Sequence, residues 1–234
     1  MKHTCLAILF SLSISNAIAF DGGYLKGNSP DSALELPPPP KEGSKLFNSD
    51  INDYKKGLQQ KGSSRWVQAI SDANMSQKNL ERFFSNPMDE KISQKRTPSI
   101  SKLIGMMRYD AGYYSTIGAK EKYKRARPFS YFKTNSCTPQ KDQELSSNGS
   151  YPSGHAATAW TVALVLAEIK PTRTKQLIEA AYSYGESRVI CGAHWQSDVA
   201  AGRQIGSSLF LKLNSNGEFL KTLNDARKEI KDEI

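Results

Sequence analysis

The sequence predicts an all-α fold: a single helical domain behind a leader and an irregular arm. Three observations carry that reading. Helix-capping residues punctuate the chain from Ser49 onward. The stretch PSGHAATAWTVALVLAEIK is apolar almost all round, as a central buried helix must be. No segment sustains the apolar–polar alternation of a half-buried strand.

The elements follow in order. Residues 1–19 read as a signal peptide, with basic Lys2, an apolar run, and Ala17-Ile18-Ala19 as a small-x-small cleavage site. Cys5 lies before the apolar run, too early for a lipoprotein cysteine, so a periplasmic or secreted protein is expected. Residues 20–45 form the irregular arm, where the prolines at 37–40 lack amide donors and set a polyproline II segment. The helical domain spans 46–234. SDINDYKKGLQQ and SQKNLERFF open on capping residues. TPSISKLIGMMRYDAGYYSTIGAKEKYKRA reads as a long helical stretch, broken near Gly118 and ending before Pro128, because a residue preceding proline is steered away from the α region. A polar loop, KTNSCTPQKDQELSSNGS, leads into the buried helix. PTRTKQLIEAAYSYGESRV begins with a proline suited to a first turn. HWQSDVAAGRQIGSSLFLKL follows, and its Gly202 and Gly206 indicate close helix packing, since Arg203 and Gln204 between them do not suit a membrane seam. The last segment places Phe219, Leu220, Leu223, Ala226 and Ile230 on one stripe.

The formal charge of +9 becomes +8 once the leader and its Lys2 are removed. Such a balance suits nucleic acid, a membrane surface or small anions. No later apolar run reaches membrane length, so no membrane insertion is expected after cleavage. Loss of Cys5 leaves Cys137 and Cys191, and two cysteines in an exported chain predict one disulfide. A loop of about 55 residues closed this way stabilises by about 4 kcal/mol on the chain-entropy account.

The scarce residues point to chemistry. His3 leaves with the leader, so the mature chain keeps only His155 and His194. In YPSGHAAT, Ser153 can cap the next helix and Gly154 lets a ligand approach the backbone, which makes an anion site beside His155. An ordinary helix start explains the same residues as well. In SRVICGAHWQSD, His194 and Asp198 stand four apart, about one helical turn, so a carboxylate can fix the imidazole tautomer. By itself that pair is a solvated contact worth a few tenths of a kcal/mol; Arg188 nearby argues for more. In KEKYKRARP, Lys120 and Arg127 stand seven apart, about two turns, and point the same way if the helix persists. Spacing alone does not separate Lys120 from Lys122, and Lys122, Lys124 and Arg125 read as a solvated basic face. Together the three stretches fit phosphoryl transfer, in which charge spreads over equatorial oxygens. Lys120, Arg127, Arg188 and the amides near Gly154 would hold them. His194 would attack phosphorus, Asp198 would hold His194, and His155 would protonate the leaving oxygen.

Lys120 with Arg127-Pro128, then Pro152-Ser153-Gly154-His155, then Ser187-Arg188 with His194 and Asp198 resembles the signature of the type 2 phosphatidic acid phosphatase superfamily. That superfamily includes bacterial class A non-specific acid phosphatases and vanadium haloperoxidases. The likeness covers residues 100 to 210 and selects Lys120 over Lys122. It implies a helical bundle of the acid phosphatase/vanadium haloperoxidase type and a metal-independent phosphohydrolase working through a phosphohistidine. It makes His194 the nucleophile, His155 the general acid and Asp198 the orienter, with Lys120, Arg127, Ser153, Gly154 and Arg188 as phosphate ligands. YKRARPF, GSYPSGHA and GESRVICGAHWQSDV look most like the periplasmic apyrase branch, which removes phosphates from nucleoside tri- and diphosphates; a broad-specificity acid phosphatase acting on phosphomonoesters is the alternative.

Other classes fit less well. A haloperoxidase would put vanadate in the same pocket. A serine hydrolase of Ser153, His194 and Asp198 lacks the Gly-x-Ser-x-Gly elbow. A metal hydrolase needs more ligands than two histidines and one aspartate plainly offer, so no metal or cofactor is expected. A nucleic-acid or anion-binding module explains the charge but leaves the histidines without a task. The expected partner is a small phosphorylated substrate, a nucleotide on the apyrase reading, and a homodimer is compatible with the sequence.

Overall fold

The computed structural model describes residues 22–230, so the signal-peptide segment at 1–19 lies outside the described residues. Every regular element among the described residues is helical. The helices in chain order are α1 (Ser32–Glu35), α2 (Lys45–Leu58), α3 (Ser64–Asp72), α4 (Gln77–Met88), α5 (Pro98–Tyr109), α6 (Ser115–Tyr123), α7 (Pro128–Tyr131), α8 (Asp142–Ser146), α9 (Gly154–Ile169), α10 (Thr174–Ile190), α11 (Gln196–Leu213) and α12 (Gly217–Glu229).

Capping chemistry sets many starts. Asp31, Ser44, Ser63, Ser76, Ser153 and Asn216 each accept a hydrogen bond from an amide of the first turn that follows. Ser44, not Ser49, caps α2, so that helix begins earlier than its punctuation predicts. α3 is a further helix that the sequence reading did not single out, and its Ala69 and Asp72 are buried.

The long stretch from Pro98 does not break at Gly118. It passes through one π-helical turn, Asp110–Tyr114, and continues as α6. The irregularity sits at Asp110 because its buried carboxylate reaches out of the stack, accepting from Tyr24 N (2.6 Å) and Leu25 N (3.2 Å) of the arm. Gly118 serves close approach instead, since a β-carbon there would meet the Asp31 carboxylate. α6 stops at Tyr123, and Lys124 turns the chain in the left-handed region (φ 43°).

α9 is the centre. It packs on α10 and α11, with α5 and α12 closing further sides. Gly202 and Gly206 of α11 do permit this, as β-carbons there would lie 2.5 Å from Ser153 O and 2.9 Å from Ala157 O. Pro171 opens a 3-10 turn, Pro171–Arg173, ahead of α10 rather than the helix itself. On α12, Phe219, Leu223 and Ala226 are buried with Thr222, and Ile230 packs against the same core. Leu220 does not join them and stays 37% exposed, being one residue, about 100°, off the stripe.

The arm lies over the bundle. Leu36 is buried, Ser32 Oγ accepts from Ala119 N (3.0 Å), and Tyr151 Oη donates to Pro37 O (2.7 Å). No described helix is long and apolar enough to cross a membrane.

Candidate active site

The three motif-bearing stretches come from α6 and its exit turn, the head of α9, and the α10–α11 junction. Lys120, Arg127, Gly154, His155, Arg188 and His194 line one cavity of about 280 Å³. Asp198 stands behind His194 and is fully buried.

Lys120 and Arg127 do not meet through helical periodicity, because α6 ends between them. Lys120 Nζ donates to Gly149 O (2.8 Å) from the last turn of α6. Arg127, in extended conformation ahead of Pro128, is brought back by the Lys124 turn. Its guanidinium donates to Leu145 O (2.7 Å), Asn148 Oδ1 (2.7 Å), Ala193 O (2.9 Å) and His194 Nε2 (3.0 Å). Burial lowers the Lys120 pKa to about 7, with the Arg127 charge pushing the same way and Asp198 opposing. Arg127 and Arg188 are both lowered to about 10, chiefly by burial. Arg188 Nε and Nη1 are buried with no hydrogen-bond partner among the described residues, which leaves them available to an anion.

His194 is not on a helix, and its pairing with Asp198 is not an i,i+4 face contact. Gly192, in the left-handed region (φ 71°), turns the chain out of α10. Trp195 then caps α11, and Asp198 at the third helical position reaches back: Oδ2 accepts from Trp195 N (2.9 Å) and faces His194 Nδ1 (3.4 Å). Arg127 is donor-only, so His194 Nε2 is a lone pair and the ring proton sits on Nδ1 toward Asp198. Burial first, then Arg127, Lys120 and Arg188, holds the His194 pKa well below 6.5; a backbone hydrogen bond with Ser150 opposes them.

Ser153 Oγ accepts from Ala156 N (3.3 Å) and caps α9, so its hydroxyl has a structural task. Gly154 packs closely, as a β-carbon would lie 2.5 Å from Gly112 O. The first amides of a helix have no partner within it, and here they belong to Gly154 and His155 beside the cavity. His155 Nε2 bonds Ala73 O (3.1 Å), and a carbonyl only accepts, so Nε2 carries a proton and Nδ1 is the exchangeable nitrogen. Burial and then Arg188 hold the His155 pKa well below 6.5.

The solvated basic face holds for Lys122 and Lys124, both exposed, but not for Arg125. The Arg125 side chain is 8% exposed and bridges Asp198 (2.6 Å) and Asp50 (2.7 Å). Asp72 is a further group that the sequence reading missed. It is buried, accepts from Ser187 Oγ (2.6 Å) and Gln68 Nε2 (2.6 Å), and favours the Arg188 charge. The residues at 50 and 72 lie on α2 and α3, remote from every motif, and only Arg125 sat within one.

Cys137 and Cys191 form the expected disulfide. With Cys137 N donating to Cys191 O (2.9 Å) and Phe129 N to Gly192 O (3.1 Å), it ties the chain after Arg127 to the turn before His194.

Comparison with known proteins gives a concordant result. The model of the PAP2 superfamily matches residues 103–214, which hold all eight residues singled out for chemistry. A non-specific acid phosphatase of Salmonella typhimurium is 43% identical over 204 residues, covering 87% of this chain and 82% of that protein. One from Providencia stuartii is 44% identical over 207 residues, covering 88% and 84%. An acid phosphatase of Zymomonas mobilis is 35% identical over 201 residues, covering 86% and 75%.

Proposed function

Because the chain belongs to the PAP2 superfamily, as a class A non-specific acid phosphatase, we propose that it releases phosphate from a broad range of phosphomonoesters through a phosphohistidine on His194. The observation that carries the mechanism is the state of His194: an unprotonated Nε2 lining a cavity with Lys120, Arg127 and Arg188, its other nitrogen turned to Asp198. The breadth of substrate rests on the relatives, which are named for acid phosphatase activity.

Lys120, Arg127, Arg188 and the Gly154 and His155 amides bind the phosphoryl oxygens. Arg127 Nη1 turns from His194 Nε2 onto an oxygen, which frees the lone pair. The negative charge of the bound phosphate opposes Arg188 and raises the His155 pKa, so the ring takes up a proton on Nδ1 in the complex. Nε2 forms a bond to phosphorus as the P–O bond to the leaving group breaks, and His155 Nδ1 delivers that proton to the departing oxygen. The positive charge gained by the His194 ring is met by Asp198. In the second half, His155 Nδ1 takes a proton from water, the resulting hydroxide oxygen bonds phosphorus, and the N–P bond returns its electron pair to Nε2. No metal or cofactor enters either half. The leader and the disulfide support action outside the cytoplasm.

The narrower apyrase reading rests on the residues flanking the motifs alone. Assay of p-nitrophenyl phosphate, AMP, ADP and ATP side by side in EDTA separates the two. Comparable kcat/KM for p-nitrophenyl phosphate and AMP is expected, with a loss of about 10⁴-fold or more in His194→Ala. Cleavage of ATP and ADP with AMP spared would establish the apyrase instead. Activity that survives in His194→Ala would defeat the phosphohistidine.

A further inference from the structure

Asp198 has two oxygens with different partners. Oδ2 faces His194; Oδ1 accepts from Arg125 Nη1 at 2.6 Å. The other prong, Nη2, donates to Asp50 Oδ2 at 2.7 Å. Asp50, on α2, accepts in turn from Ser197 N (2.8 Å) and Ser197 Oγ (2.6 Å), and Arg125 Nη1 also donates to Ser197 Oγ (2.7 Å). The guanidinium lies 5.8 Å from the Phe47 ring centre and 5.4 Å from that of Trp195. A planar fork held by two carboxylates and two rings has one orientation available. Arg125 does not line the cavity of His194; it lines a groove that shares Lys120 and Arg127 with that cavity, and its hydrogen bond toward His194 runs through Asp198.

On the reading of His194 as nucleophile, we propose that Arg125, braced by Asp50, is the positioning residue that fixes the Asp198 carboxylate for His194 Nδ1. Without it, Oδ1 loses a charge-assisted bond and the carboxylate is held only at Oδ2, by Trp195 N, about which it can swing. The imidazole tautomer and ring angle then lose their anchor. A lysine has one compact charge in place of two prongs and cannot span both carboxylates.

The test is a double-mutant cycle on kcat with p-nitrophenyl phosphate, with thermal unfolding measured alongside. Arg125→Lys should lower kcat by about 10-fold and Arg125→Met by about 100-fold, with KM changed less than about 3-fold. Asp50→Asn should cost about 3- to 10-fold on the same grounds. In an Asp198→Asn background each change should cost less than about 2-fold, because the carboxylate it positions is gone. If Arg125→Met does not fold, Arg125→Lys and Asp50→Asn carry the cycle. If the Asp198→Asn background is too slow to measure, the imidazole ¹⁵N resonances of His194 decide, and they should move toward a mixture of tautomers in Arg125→Lys. Equal fold losses in both backgrounds, unchanged kcat in the folded single variants, or unmoved resonances would each overturn the proposal. An active His194→Ala sinks the nucleophile reading itself, whatever the cycle shows. An inactive His194→Ala with an additive cycle sinks only the role of Arg125.

Discussion

Lys120 is an ammonium whose pKa burial pushes down to about 7, and in the phosphate-binding role proposed for it the side chain must be charged. Below that pH it carries its proton; above it the cation is lost. Arg127 and Arg188, at about 10, stay charged throughout, and the His155 and His194 transitions lie well below 6.5. Sulfate keeps its charge across this range, so it isolates the lysine. Its inhibition constant should be flat below pH about 7 and rise about tenfold per pH unit above it. In Lys120→Arg the rise should vanish, since arginine does not deprotonate there. A rise retained in Lys120→Arg would assign the limb to another group. The low His194 pKa also keeps Nε2 unprotonated in mild acid, as the proposed nucleophile requires.

At the scale of elements, the α9–α11 contact sets the site, because Ser153 and His155 lead one helix and Asp198 leads the other. Ser153 N donates to Asp198 O (2.9 Å), which locks the two heads together. Gly202→Ala tests that lock. Alanine gains about 1 kcal/mol of helix propensity over glycine. Its β-carbon, however, would sit 2.5 Å from Ser153 O, a backbone atom that cannot rotate away. Overpacking of this kind costs about 1–3 kcal/mol. Denaturant unfolding should therefore show net destabilisation, with kcat lowered as the Ser153 corner shifts; a stabilised variant would mean that the helices separate freely. The same scale shows where sequence spacing misled. Lys120 and Arg127 share the cavity through a turn rather than a helix face. His194 meets Asp198 through a reach-back from the first turn of α11.

Across the whole molecule, α2, α3, the arm and the polar loop are tied around that centre. The Cys137–Cys191 bridge spans 54 residues and encloses the YPSGH corner. Replacing both cysteines by alanine should lower stability by about 2–5 kcal/mol. Activity well below the melting point should persist, because the Cys137–Cys191 and Phe129–Gly192 backbone bonds remain. A collapse of kcat with unfolding unchanged would give the bridge a role in the site instead of the fold.

Helical class, the buried α9, the glycine seam and the six residues that line one cavity were legible in the sequence, because each is a local pattern or a scarce residue in a specific spacing. The tertiary structure decided what lies behind them. Arg125 looked like one cation in a solvated run until α2 brought Asp50 and α11 brought Asp198 to it. Asp72 and the Ala73 carbonyl, which support Arg188 and bond His155, come from the end of α3 and the residue that follows it, where the sequence carries no motif. Desolvation has the same origin: no spacing reveals that the Lys120 ammonium is withdrawn from water beside Arg127, yet that desolvation lowers its pKa to about 7. Contacts between distant segments and the exclusion of water belong to the packed chain, and only packing sets them.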